Sequence, residues 1–222
     1  MFTMFTSMDV TLVNMARPGE IPVPENPKRG TYHHGDLKRA LTDAALQLVQ
    51  EKGPKGFTLR EVARRAGVSA AAPYRHFADK SQLLAAAATQ GFVQLHETLD
   101  ATAAATMADL SEQVLAMGRA YVRWAVVHPD YYQVMFGSEL DKTESPEVLV
   151  AGERAFADLL DTIVRCQRAG LLSAGDPREM AGPIWSLLHG VSLLTIGSDL
   201  THVGISEDPE ALIERSLRNL LF

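Results

Sequence analysis

The stretch from Phe57 to Leu84, FTLREVARRAGVSAAAPYRHFADKSQLL, constrains this chain more than any other part of it. Thr58 and Glu61 have the spacing of a capping box, with Phe57 and Val62 at the two hydrophobic-staple positions of the same helix start. Ala63 is small enough to let a second helix cross closely. Four residues later Gly67 can take positive φ, which ends the helix near Ala66. Val68 packs the turn inward, and Ser69 is placed to cap a short helix reaching about Phe77. Two helices joined in this way make a helix-turn-helix, whose second helix lies in a DNA major groove.

The residues after the turn indicate how such a helix would read DNA. The amides at its N-terminus favour phosphate. Ala70, Ala71 and Ala72 give a smooth surface able to touch thymine methyls but not to hydrogen-bond base edges. Pro73 removes one backbone donor. Tyr74, Arg75, His76 and Lys80 supply phosphate donors, and Arg75 is the best candidate for a base contact.

The rest of the chain reads as helix, with no convincing period-two alternation. Before the turn, residues 36–52 carry an apolar stripe of Leu37, Leu41, Ala44, Ala45, Leu48 and Val49, stopped by Gly53. Asp79 caps a long helix continued by Leu84, Ala88, Phe92, Leu95 and Leu99, followed by an Ala/Thr-rich junction near 101–106. Further helices are expected at about 109–127, up to 136, at 145–169, 176–196 and 209–220. Asp176-Pro177-Arg178-Glu179 is the clearest start signal in the chain. The expected fold is therefore all-α with about nine helices. A leader and basic arm occupy 1–30, a three-helix helix-turn-helix domain 31–81, and a larger helical domain 82–222.

Charge follows the same division. Residues 28–81 hold 11 Lys and Arg against 5 Asp and Glu, a net of +6, whereas residues 82–222 hold 9 against 19, a net of −10. A basic head on an acidic body fits a polyanion partner for the head, although a solvated basic face gives the same count. The arm at Lys28-Arg29 is a candidate for entering a minor groove. Cys166 is the only cysteine, so no intrachain disulfide can form and a reducing cytoplasm fits best. No apolar run is long enough to span a membrane, and the first residues lack a signal-peptide pattern. Met15, followed by Ala16-Arg17-Pro18-Gly19, competes with Met1 as the start.

Residues 31–84 resemble the DNA-binding domain of the TetR family of bacterial regulators. The likeness runs through Thr31-Tyr32-His33-His34-Gly35-Asp36-Leu37, Phe57-Thr58, the Ala63/Gly67-Val68-Ser69 turn and Tyr74-Arg75-His76-Phe77 to Lys80 and Leu83-Leu84. It implies phosphate contacts by Thr58, Tyr74, His76 and Lys80, with the residues after Ser69 facing the bases of double-stranded operator DNA. Ala70-Ala71-Ala72-Pro73 departs from the Lys, Gly or Thr that many members carry there. Specificity then leans on methyl contacts, Arg75, DNA shape and the arm. The resemblance also implies a homodimer and a small-molecule effector, hence a ligand-responsive repressor on a near-palindromic operator. Trp185 to Gly190, WSLLHG, resembles the Trp/His-Gly signature of one C-terminal subclass.

Trp124, His128, Tyr131, Tyr132, Met135 and Phe136 form an aromatic cluster that either lines an effector pocket or is plain core, and Trp185 and His189 either join it or pack a dimer bundle. The two long helices after residue 145 are the expected dimer surface. No metal or cofactor is expected, since His33-His34 lacks a third ligand at a useful spacing. Two other readings stand beside the repressor. One is a DNA-binding protein without an effector; the other is a helical enzyme, for which no nucleophile–base pair or phosphate loop is found.

Overall fold

Apolar spacing along α1 (His34–Lys52) buries Leu41, Ala45, Leu48 and Val49 along one side, which fixes how the first helix lies on the rest. The structure, a computed structural model, describes residues 34–222, with side chains from Leu37 onward. The leader, the start at Met1 or Met15, the Lys28-Arg29 arm and the residues up to His33 lie outside the described residues. Among the described residues every regular element is a helix, and no helix is long and apolar enough to cross a membrane.

After Gly53, at φ +73°, the chain crosses to α2 (Leu59–Arg65), whose expected capping box is present. Thr58 Oγ1 accepts from the Glu61 amide at 3.3 Å, and Glu61 Oε2 accepts from the Thr58 amide at 2.9 Å. The end of α2 is a Schellman motif. Val68 N donates to Ala63 O at 2.9 Å and Gly67 N to Arg64 O at 3.2 Å, around Gly67 at φ +68°.

The third helix departs from expectation. Residues 69–72 form a turn, and only Pro73–Arg75 make a 3-10 helix. Pro73 has no N–H to give Ser69 O, which instead accepts from Ala72 N at 2.9 Å. The proline thus tightens the element, and Ala72 turns inward at 8% exposure instead of joining the outer surface with Ala70 and Ala71.

Asp79 caps α3 (Lys80–Ala105), accepting from Gln82 N at 2.9 Å. This helix absorbs the Ala/Thr-rich stretch expected as a junction. Thr98, Thr102 and Thr106 each bond back to the carbonyl four residues earlier at 2.8 Å, so their hydroxyls do not compete with the helix. The helix starts at Lys80, and residues 34–222 belong to one compact unit.

Next come α4 (Leu110–Val127), α5 (Pro129–Phe136), α6 (Pro146–Arg168), α7 (Pro177–Ile196), a one-turn α8 (Asp199–His202) that the sequence reading missed, and α9 (Pro209–Leu221). Asp176 caps α7, with Pro177 at its first position and Glu179 in its first turn. α3 packs along α6, α4 and α5, while α4 packs on α9 and α7. Their shared core surrounds the buried Leu95, Leu115, Ile163, Ile184 and Ile213.

Candidate nucleic-acid interface and effector pocket

The geometry of the basic head narrows the charge count. Arg65 makes a bidentate pair with Glu51 at 2.7 Å, Lys52 pairs with Glu61 at 2.7 Å and Lys55 with Glu139 at 2.7 Å. Lys80 is drawn inward. Its Nζ donates to Lys55 O at 3.1 Å and Phe57 O at 3.0 Å and sits 4.4 Å from the Phe57 ring centroid. Burial lowers its pKa. It pins the loop before α2, and of its three N–H donors one is left for a phosphate.

Arg60, Arg64 and Arg75 are exposed and have no carboxylate partner among the described residues. Ser69, Ala70, Ala71 and Thr58 are also exposed, and Tyr74 is 54% exposed. His76 is half-buried, its ring 6.4 Å from that of Phe77. Arg60 and Arg64 were missed in the sequence. Their four-residue spacing, on the opposite side of α2 from the buried Leu59, Val62 and Ala63, was the available signal.

A cavity of about 360 Å³ opens within the helical body. α3 contributes Phe92, Leu95 and Leu99; α4 contributes Met117, Gly118 and Tyr121; α6 and α7 contribute Gly152, Phe156, Ile184 and Trp185. Gly152 lies beside the Phe92 ring, whose nearest atoms are 3.6 Å from where a Cβ would stand, an ordinary contact distance. Phe156 and Trp185 meet edge to face at 6.0 Å between centroids.

The expected aromatic cluster is divided. Phe136 and Trp185 line the cavity, whereas Trp124, His128, Tyr131, Tyr132, Met135 and His189 are not among its lining residues. Trp124 is 5% exposed and packs against His128 and Tyr131 at 5.2 and 6.4 Å, and the Tyr131 hydroxyl accepts from Gln94 at 3.3 Å. Met135 fills space beside Gly91. Trp124, Tyr131 and Met135 are buried in the core, with the partly buried His128 packed on them, while Phe136 at the end of α5 reaches the cavity.

Tyr132 and His189 stand behind the wall. The Tyr132 hydroxyl lies 2.7 Å from His189 Nδ1 and 3.1 Å from the hydroxyl of Tyr121, which lines the cavity. Burial raises the Tyr132 pKa to about 12 and lowers that of His189, so both are neutral near pH 7. Lys142, missed in the sequence, lines the cavity from the loop before α6, with its Nζ 5.2 Å from the Phe136 ring centroid. A lone loop lysine carries no local pattern; only tertiary packing reveals it.

α7 has a small-residue side facing outward. Ideal Cβ atoms built on Gly182 and Gly190 meet nothing within 4 Å, and the exposed Pro183, Ser186, Leu193 and Leu194 surround them. Cys166 is fully buried, and burial raises its thiol pKa, the state of an inert core thiol. Among the described residues no group of three or more His, Cys, Asp or Glu could hold a metal ion.

Known proteins match this arrangement in two blocks. Residues 41–87 match the family model of bacterial regulatory proteins of the tetR family, and residues 114–220 match the tetracyclin repressor-like C-terminal domain. An HTH-type transcriptional regulator of Mycobacterium tuberculosis is 31% identical over 117 residues, 52% of this chain and 50% of the relative. The chain thus spans about half the length of the mycobacterial relatives it matches. The uncharacterized HTH-type regulator YvkB of Bacillus subtilis is 26% identical over 188 residues, 80% of this chain and 92% of the relative. Among solved structures, a protein of unknown function from Rhodococcus sp. RHA1 superposes with a TM-score of 0.76 at 28% identity, covering 86% of this chain and 97% of that one. The TetR regulator PfmR of Thermus thermophilus shares the fold, with a TM-score of 0.66 at 17% identity over 82% of this chain and 96% of its own.

Proposed function

Since the chain belongs to the TetR family of bacterial transcription regulators, we propose that it is a dimeric repressor whose operator affinity falls when a small molecule fills the cavity. One observation carries this reading. α3 begins at Lys80, in the basic head, and the same helix supplies Phe92, Leu95 and Leu99 to the cavity wall. At 26 residues it is about 39 Å long, so a ligand that displaces its middle displaces the head. By linkage, a ligand favouring a state with wrongly spaced heads lowers operator affinity by the same free energy.

Arg75 at the base edges, with the outward Thr58, Tyr74, Arg60 and Arg64 and the half-buried His76 toward phosphate, accounts for the DNA contact. Lys80 serves first as the brace of the α2 loop and adds one donor at the rim. The α7 side around Gly182, Ser186 and Gly190, flanked by Leu193 and Leu194, supports an isologous interface in which backbones approach closely. Under this reading the Trp/His-Gly signature combines three roles: Trp185 at the cavity, His189 behind it and Gly190 at the interface. The chain acts in the cytoplasm as a binding protein, not an enzyme.

Footprinting on the DNA upstream of its own coding region tests the proposal. A protected near-palindrome that is released by a cavity-binding compound supports it. Protection unaffected by any compound shown to bind the cavity points to a regulator without an effector.

A further inference from the structure

We infer that the cavity takes an anionic amphiphile, a medium-length apolar chain ending in a carboxylate, with the Lys142 ammonium as its head-group partner. The inference rests on the reading of the cavity as an effector site. The wall is almost wholly hydrocarbon and aromatic, so the body of the ligand must be apolar. The hydroxyls in that wall are already committed. Thr162 Oγ1 donates to Asp158 O at 2.9 Å, and the Tyr121 hydroxyl pairs with Tyr132 at 3.1 Å. A ligand with polar groups along its length would leave them unmatched, at a cost in affinity.

Lys142 is the exception. It sits in a 3-10 turn (Lys142–Glu144) ordered by Asp141, which accepts from Thr143 N at 2.9 Å. Its ammonium rests over Phe136 at 5.2 Å and Phe92 at 6.0 Å, with no carboxylate at ion-pair distance among the described residues. Burial lowers its pKa, with no nearby anion opposing that effect. A half-buried cation held only by ring faces gains most from an anion brought by the ligand. Glu153, the other charged residue of the wall, is exposed, so solvent screens its repulsion. A single lysine with no arginine in the wall suits a compact singly charged head better than a phosphate, which favours bidentate arginine. The volume, about 360 Å³, lies near the lower end for ligand cavities, which sets the medium chain length.

The experiment titrates decanoate, decanol and decyltrimethylammonium into the full chain without DNA, read by calorimetry and by tryptophan fluorescence, since Trp185 lines the cavity. Decanoate should bind about tenfold more tightly than decanol, and the cationic probe should not bind. Lys142→Met should lose about that factor for decanoate and leave decanol unchanged, while Lys142→Arg should retain most of it. Equal binding of decanoate and decanol, an unchanged decanoate affinity in Lys142→Met, or no binding of any probe would each overturn the inference. A chain that binds operator but rejects decanoate overturns this inference alone. One that binds decanoate but no DNA overturns the proposed function instead.

Discussion

His96 Nδ1, on α3, lies 2.7 Å from Asp158 Oδ2, on α6, and each side chain is 16% exposed. The pair ties the helix that enters the basic head to a helix of the cavity wall. Burial raises the Asp158 pKa against the opposing pull of the His96 hydrogen bond. Removing His96 strands a half-buried carboxylate, so His96→Leu should cost about 1–3 kcal/mol in urea unfolding. Asp158→Asn should cost less, because the amide keeps a hydrogen bond and sheds the charge. Equal costs for both would show that the charge is screened and the pair acts by packing alone.

Acid should loosen the head through Glu61. Hydrogen bonds from Lys52 and then from Thr58 lower its pKa from 4.5 to about 2. A depressed carboxylate contributes stability that is fully present above about 4.5 and is lost as pH falls through about 2. The difference in thermal midpoint between the natural chain and Glu61→Gln should therefore shrink through that window. A difference that stays constant across it would show that the capping box holds the same energy with Glu61 protonated.

Gly67 tests the turn. No atom lies within 4 Å of a Cβ built on it, so Gly67→Ala meets no clash and its cost is backbone strain at φ +68°. That cost should be roughly 1–2 kcal/mol, seen as a lower melting temperature. Gly67→Asn should recover part of it, since asparagine tolerates this conformation. Equal loss from both would place the cost in packing.

Gly190→Glu tests the interface. The position has open space in the single chain, and glutamate favours helix more than glycine does. The protomer should melt no earlier, yet sedimentation should show monomers, and operator affinity should fall with dimerisation. A dimer that persists in this variant would move the interface away from α7.

Much of this fold could be read in the sequence because its signals are local. The Thr58/Glu61 box, the Gly67 turn, the Asp176-Pro177 start and the apolar stripe of α1 each act within one or two turns of helix. The departures arise where two local rules compete or where distant segments meet. At Pro73 the missing donor outweighs the cap at Ser69, and in α3 the threonine hydroxyls are satisfied within the helix, so the Ala/Thr run stays helical. The cavity was half legible. Phe136 is singled out by its aromatic character and Trp185 by the WSLLHG resemblance, and both line the cavity, but the aromatic criterion also draws in Trp124 and Tyr131, which are buried in the core. Lys142 and Phe92 meet across some fifty residues of chain, a relation no periodicity encodes.

The central claim is tested most directly by fluorescence anisotropy of the purified protein on its own promoter DNA across a salt series, with Arg75→Ala beside it. Saturable, sequence-selective binding is expected, with two protomers per site and affinity falling steeply with salt. Arg75→Ala should weaken the operator complex by about 1–3 kcal/mol while changing binding to random DNA far less. Weak binding that is equal on promoter and random DNA, and indifferent to Arg75, would contradict the account.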